Sequence, residues 1–502
     1  MTPRRQISPG RAWAGLGLLL LPTAMVAIDI NILFLALPAI TVDLRASALD
    51  QLWIADIYTL FVGALVIVAG ALGDRIGRRR LLTWGCAGFL IASLLTAFAP
   101  SPTWLIVARG LQGIAGATLM PSTLALIGQL FADDRQRTKA ISLWATCQFG
   151  CAAFGPVVGG VMLSHLWWGS LFLIAVLPCL AVLLLGRRLL PEHAAAAAAP
   201  RIDTASVLLL IGTMTSLLLA CNTMLPSVDA PAGVKIGLLA AWLVLGTLFI
   251  RRQLVIEAPL LDLGLLTRPA IGTTVAALVL TAICLAGLGL WVTQYLQSGL
   301  GLSPLHAAAV FAPMGLGIAA STMLAPALTR WVTPAIAVPL GLVVAAAGSL
   351  LLITASSAWG VMAAVTISAA GCGPLFAFGI TRVVTCAPVD RAGRAAGLSE
   401  TCNYLGGALG IALLGTIGGW AYAHSLDSKL GRLTSEQASA AQESLAAGRS
   451  TAKSLSDADL LHAVTGAGAA ALHGFGVLVP ALFLAAAAAT AWGGRTSQRS
   501  GS

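Results

Sequence analysis

Fourteen apolar runs, most about 20 residues or longer, divide this chain, and no other feature restricts its fold so tightly. They lie near residues 12–38, 48–70, 80–98, 103–129, 140–163, 168–189, 205–224, 233–250, 269–294, 304–328, 334–354, 358–380, 394–421 and 473–493. A helix crosses the hydrocarbon core of a bilayer with about 20 mainly apolar residues. A barrel strand needs about 10 and alternates in polarity. These runs are apolar all round, so they predict membrane-spanning helices. Composition agrees: 58% of residues are hydrophobic and 10% charged, against about 25% charged in a soluble domain. The first run follows Arg4, Arg5 and Arg11. It is too long for a cleaved signal and no small-residue cleavage site follows it, so it reads as a retained helix.

The net charge of +10 suggests nucleic acid only until it is mapped onto loops. With a cytoplasmic N-terminus and fourteen spans, the outer loops hold only Arg45, Lys235, Lys429, Arg432, Arg449 and Lys453. Arg109 lies inside the fourth run, and every other Lys and Arg falls on the inner side. That asymmetry is the positive-inside pattern. It places both termini in the cytoplasm and accounts for the basic balance without nucleic acid. The nine cysteines form no CxxC, and Cys147 and Cys151, four apart in an apolar run, read as small packing residues. The six histidines are scattered. No cluster has metal-ligand spacing, so neither a metal nor a cofactor is expected, and no disulfide framework can be argued. No nucleophile–base pattern points to an enzyme.

Two stretches resemble each other at a constant offset. Asp134-Arg135-Gln-Arg-Thr-Lys-Ala leads into the fifth run, and Asp390-Arg391-Ala-Gly-Arg-Ala-Ala into the thirteenth. Both continue into Gly-rich helices. The predicted organisation is therefore an N-terminal six-helix bundle over 1–190 and a linker with two extra spans over 191–268. A C-terminal six-helix bundle follows over 269–502. Related halves with a substrate path between them are a transporter design. The polar loop 422–472 carries helix-start signals at Ser435-Glu436 and Ser456–Asp459, predicting a short surface helical element. The alanine run 194–199 between Pro191 and Pro200 reads as a low-complexity linker.

Residues 70–80 read Gly-Ala-Leu-Gly73-Asp74-Arg75-Ile-Gly77-Arg78-Arg-Arg, in a short inner loop. Glycines there permit a tight turn, and the basic run anchors the inner surface. This resembles the loop 2–3 signature of the major facilitator superfamily. Arg109-Gly-Leu-Gln-Gly113 resembles that family's fourth-span motif, and Gly155-Pro156-Val-Val-Gly159-Gly160 its antiporter helix motif. The segments Ala27-Ile-Asp29-Ile-Asn31 and Trp53-Ile-Ala-Asp56-Ile-Tyr58 are similar to those of fourteen-span drug:proton antiporters, as is Pro259-Leu-Leu-Asp262-Leu. The resemblance covers essentially the whole chain. It implies an all-helical fold of two six-helix bundles with two inserted helices. It also implies a monomer in the bacterial inner membrane that exports quaternary ammonium compounds and dyes. Gly73, Asp74, Arg75, Gly77 and Arg78 would form the cytoplasmic gate.

Three acids fall inside spans: Asp29, Asp56 and Glu400. A charge at mid-membrane costs at least about 2.5 kcal/mol, so such residues mark pathways or proton relays. Asp29, Asp56 and Arg109 lie at similar depths, which predicts one polar layer shared by spans 1, 2 and 4, with Arg109 as charge partner. Low dielectric favours the protonated carboxyl, and an arriving cation favours the ionised one; that competition is a physical basis for exchanging protons for cations. Trp53, Tyr58 and Tyr404 stand near the acids and present faces on which a cation can stack; each can equally be a packing residue. Asn31 reads as a bond between helices. Some similar exporters carry further acids where this chain has Ser399 and Ile318, which puts efficient handling of dications in doubt. An exporter of one antibiotic or metabolite is the second reading, and a membrane receptor is the reading from a different class.

Overall fold

The computed structural model describes residues 8–131, 133–192, 203–224, 230–256, 259–261, 263–328, 330–386 and 392–499. Every regular element among them is helical. The N-terminal group comprises α1 (Pro9–Leu44), α2 (Ala48–Ile76), α3 (Arg78–Ala97), α4 (Pro102–Gly116), α5 (Leu119–Leu130), α6 (Asp134–His165) and α7 (Val176–Leu189). Next come α8 (Thr204–Thr223), α9 (Ala232–Val255) and the single turn α10 (Leu263–Leu266). The C-terminal group is α11 (Pro269–Gln294), α12 (Pro304–Leu328), α13 (Pro334–Leu350), α14 (Ala358–Thr385), α15 (Ala392–Asp427), α16 (Ser435–Glu443), α17 (Leu445–Ser454) and α18 (Ala458–Arg499).

Twelve helical stretches among the described residues are long and apolar enough to cross a membrane. The second and fifth predicted runs, outside those twelve, lie on α2 and α6. Large apolar side chains such as Trp84, Ile91, Val107, Leu177, Leu184, Leu208 and Val255 are mostly exposed. Contiguous apolar surface on that scale suits lipid, not water.

Local chemistry sets the boundaries. Ser47 caps α2 in a reciprocal box: its Oγ accepts from Asp50 N at 3.1 Å and Asp50 Oδ2 accepts from Ser47 N at 3.0 Å. Pro102, Pro269 and Pro334 occupy first turns, where a missing N–H costs nothing. The fourth predicted run is two helices, α4 and α5, broken at Ala117–Thr118, where Thr118 Oγ1 donates to Ala115 O at 2.7 Å.

Within the first group α1 packs on α6 and α7, α2 on α4, and α3 on α4 and α7. Within the last, α14 packs on α12 and α13, and α11 on α15 and α18. The groups meet where α6 lies on α12 and α2 on α15. Helices α8 and α9 pair with each other, and α8 also rests on α2 and α15. Most of α9 is exposed, with Phe249 and Gln253 buried.

The 422–472 segment differs from its expectation. It holds two helices, α16 and α17, and the first turns of α18, capped by Asp457 Oδ1 accepting from Leu460 N at 2.9 Å. Part of it is not on the surface: Ala441, Leu445 and Ala452 are buried in the C-terminal core. Tyr422 Oη donates to Ala441 O at 2.9 Å, and Arg449 Nη1 donates to the carbonyls of Ser298 and Gly299 at 3.0 and 2.9 Å. The alanine run 194–199 and Asp390–Arg391 of the second repeat lie outside the described residues.

Candidate functional site

Arg109 and Gln112 stand three residues apart on one face of α4, and that face meets Asp29 of α1. Arg109 Nη1 donates to Asp29 Oδ2 at 2.7 Å and to Gln112 Oε1 at 2.9 Å. Gln112 Nε2 donates to Asp29 Oδ1 at 3.0 Å and to Ser93 Oγ of α3 at 3.1 Å. Three helices are thus joined by one buried polar network; Arg109 is 1% exposed and Asp29 6%. Gly113 lets the backbone of α2 come close, since a Cβ there would stand 2.6 Å from Tyr58 O. That approach lays the Tyr58 ring beneath the guanidinium, 4.5 Å from its carbon, with Phe172 at 5.6 Å. A charge without water is here shared between a carboxylate, an amide and two π faces.

The expected shared layer holds for two of its three members. Asp56 does not join Arg109. It sits between Trp53 and Leu60, three back and four on, on the face of α2 that packs against Leu218 and Cys221 of α8 and Ala412 of α15. It is fully buried and neither oxygen has a hydrogen-bond partner. Counting residues gives depth along a helix; only packing decides which way a side chain faces.

A cavity of about 250 Å³ opens between the two helix groups. Ile30 and Thr59 line it from the N-terminal group, and Leu285, Phe311, Met314, Ile318, Phe376, Asn403, Tyr404 and Ile411 are among its lining from the other. None of the described lining residues is charged. Asp29 stands one residue from the cavity-lining Ile30. Of the three stacking candidates only Tyr404 lines the cavity: Tyr58 is buried under Arg109, and Trp53 packs toward α8. Glu400 lies one turn before Asn403 and Tyr404 on α15; its side chain, like those of Asn31, Asp74 and Pro156, is outside the described residues, as is Asp262.

The loop 2–3 residues form a tight corner. Gly77 has φ 101°, a conformation that disfavours any side chain, and its N–H closes α2 on Gly73 O at 3.0 Å. Arg78 folds back over Gly73, while Arg75 is exposed. Arg79 pairs with Glu192 at 3.1 Å and donates to Leu190 O at 3.3 Å, tying the corner to the end of α7. On α6, Gly155 and Gly159 face Ile28 and Ile32 of α1, and Gly160 faces the backbone of Leu305 on α12. The antiporter-type motif therefore touches both the helix bearing Asp29 and the opposite group. Gln112, Ser93 and Glu192 were not anticipated. Only Gln112 left a signal, its spacing from Arg109.

Two groups of apolar helices, a buried ion pair and an apolar cavity between the groups define a membrane transporter. The chain belongs to the major facilitator superfamily, whose model matches residues 19–411. It is 38% identical to the multidrug efflux pump LfrA of Mycolicibacterium smegmatis over 97% of both chains. It is 36% identical to the methyl viologen resistance protein SmvA of Salmonella typhimurium over 81% of this chain and 82% of that one. With the puromycin resistance protein pur8 of Streptomyces alboniger it shares 33% over 81% and 82%. Its fold matches a solved bacterial homolog of the human lysosomal transporter Spinster, inward-facing and unoccupied, with a TM-score of 0.69 and 19% identity over 98% of both chains.

Proposed function

We propose that this chain is a proton-coupled exporter of lipophilic and quaternary ammonium cations in the bacterial inner membrane. The observation that carries the reading is the Asp29–Arg109 pair, buried one residue from the apolar cavity. Proton and cation need not touch the same atom. A cation in the cavity raises the local positive potential beside Asp29 and favours its ionised form. A proton on Asp29 releases Arg109 to Gln112 and Tyr58 and loosens α1 from α4. The cavity, apolar and bearing Phe311, Phe376 and Tyr404, suits an aromatic or alkylated cation. Glu400 is assigned a second coupling role on α15, and the Gly73–Arg78 corner the cytoplasmic gate. We further assign fourteen spans, with α2 and α6 added to the twelve. They are arranged as bundles 1–190 and 269–502 joined by 191–268, in a monomer with both termini cytoplasmic.

Proteoliposomes with an imposed pH gradient and a panel of cations test this reading. Uptake that follows the gradient for several unrelated cations supports it, and transport indifferent to the gradient refutes the coupling. An exporter of one antibiotic is the second reading, favoured by the similarity to a puromycin resistance protein. It predicts that one compound on the panel moves and the rest do not.

A further inference from the structure

We infer that Asp56 and the Cys221 end of α8 form a second proton-binding site, at which ionisation of the carboxyl requires α8 to part from α2. The inference deepens the exporter reading and rests on it for its role in transport. The inserted helices otherwise have no assigned part in the mechanism.

Asp56 is 0% exposed and both its oxygens are buried without a hydrogen-bond partner. Its surroundings are the seam of Leu60, Leu218, Cys221 and Ala412, flanked by Trp53 and Leu217. Cys221 lies within its electrostatic reach. Thr416 Oγ1 of α15 donates to Cys221 O at 3.1 Å, fastening α8 to α15 beside the carboxyl. Among the described residues, the charged groups of α1 and α4 near α2 are already engaged; α15 brings Tyr404 beside Gly63 of α2, and the side chain of Glu400 on α15 lies outside the described residues. Arg109 of α4 is held by Asp29 and Gln112, Asp29 of α1 by Arg109, and Tyr58 lies on the Arg109 side of its own helix. Among the described residues no Lys, Arg, His, Asp or Glu bonds to Asp56.

An ionised carboxylate without a partner in such surroundings is far more costly than a neutral one. With the seam closed, the group holds its proton. Losing it demands water or a cation at Oδ1 and Oδ2, and both must enter between α2 and α8. The proton passes to water as hydronium when the seam opens, and the reverse step closes it. Helix α8 is bound to α9 by the Arg252–Asp203 pair and by Gln253 Nε2 donating to Ser206 Oγ, so the two helices part from α2 as one unit.

Cys221 is a native reporter of this opening. N-ethylmaleimide labelling of the full-length protein in nanodiscs, resolved by peptide mass spectrometry, is followed from about pH 6 to about pH 9; the thiolate alone raises the rate with pH in every variant. The ratio of wild-type to Asp56→Asn labelling at Cys221 should rise about tenfold across that range. Buried Cys372 of α14 is the internal reference and should keep a ratio near one. A flat ratio at Cys221 overturns the inference. If Asp56→Asn does not accumulate, hydrogen exchange of 204–223 in the wild type carries the test. Protection should fall with pH beyond the intrinsic trend in α8 and not in α14, and parallel behaviour overturns the site. A rising ratio in a protein that moves no cation under any pH gradient leaves the site standing and refutes the exporter reading instead.

Discussion

Replacing Asp29 by asparagine separates charge from shape at the centre of the buried network. The amide still offers its oxygen to Arg109 and the Tyr58 face remains in place, but its Nδ2 then faces Gln112 Nε2, donor to donor, and the bond from Gln112 is lost. Lost as well is the negative charge 2.7 Å from the guanidinium. Removing one partner of a buried pair outright costs about 3–5 kcal/mol. The retained amide acceptor restores about 1.5 kcal/mol, the lower end for a hydrogen bond to a charged group. The net destabilisation should be about 1.5–3.5 kcal/mol, enough to lower the melting midpoint without unfolding a folded membrane protein. Transport should respond differently. Asparagine cannot carry a proton, so pH-driven uptake should vanish while cation binding to the cavity, which Asp29 does not line, persists. Arg109→Gln combined with Asp29→Asn removes both charges. The pair should regain stability over either single variant by at least about 1 kcal/mol yet remain inactive. Thermal unfolding in detergent and gradient-driven uptake in proteoliposomes supply the two readings. Wild-type uptake by Asp29→Asn refutes the coupling role. Strictly additive stabilities refute the claim that the pair acts as a unit.

Three further outcomes follow from other parts of the chain. Gly77→Ala forces a side chain into φ 101° and should cost about 1–2 kcal/mol, lowering uptake more than cation binding; equal losses in both would count against a gating corner. Ile318 lines the cavity, so Ile318→Asp should improve efflux of a bis-cation relative to a monocation in a pump-deficient host, and the wild type should favour the monocation; an unchanged ratio defeats the selectivity argument. Asp203 accepts from Arg252 at 2.6 and 2.8 Å where α8 begins and α9 ends, and that guanidinium holds its carboxyl well below the usual carboxylate range. The stabilisation is therefore present above the unfolded value, about 3.9, and lost as pH falls through the depressed folded one. Asp203→Asn should loosen 204–223 in hydrogen exchange at neutral pH, with the difference from wild type shrinking as the medium is acidified. A difference independent of pH rules the pair out as its cause.

The twelve apolar helical stretches were legible because lipid imposes one rule on every crossing segment, and a run of about 20 apolar residues satisfies it without reference to neighbours. The Arg109–Asp29 pair was half legible. A buried arginine needs a carboxylate, but Asp29 and Asp56 were equally deep and only the packing of α2 against α8 distinguishes them. The break between α4 and α5 is marked by Gly116 before it and by Pro121 after it, whose missing N–H leaves Ala117 O without its helical donor, but neither was read as a break. The docking of α16 and α17 was hidden for a different reason. Ala441, Leu445 and Ala452 are small or isolated in a polar stretch, and their burial goes with Tyr422 of α15 reaching Ala441 O and with Arg449 of α17 reaching the distant carbonyls of Ser298 and Gly299.

The charge distribution has a consequence for how such a protein can select cations without binding each one by a matched acid. The described cavity offers π faces, a threonine, an asparagine and a tyrosine, but no carboxylate. The described membrane acids are either paired, as Asp29 is, or turned to the inserted helices, as Asp56 is. A monocation with a greasy envelope loses little hydration on entering and is held by area and π contact. A compact bis-cation loses the hydration of two charges, and a single acid near Asn403, supplied by Glu400 in the proposed mechanism, could offset only one. One relative is named for resistance to methyl viologen, a bis-cation. If this chain exports that compound as well as a monocation, the second charge must be met by a group outside the lining described, and Ile318→Asp should then bring no gain.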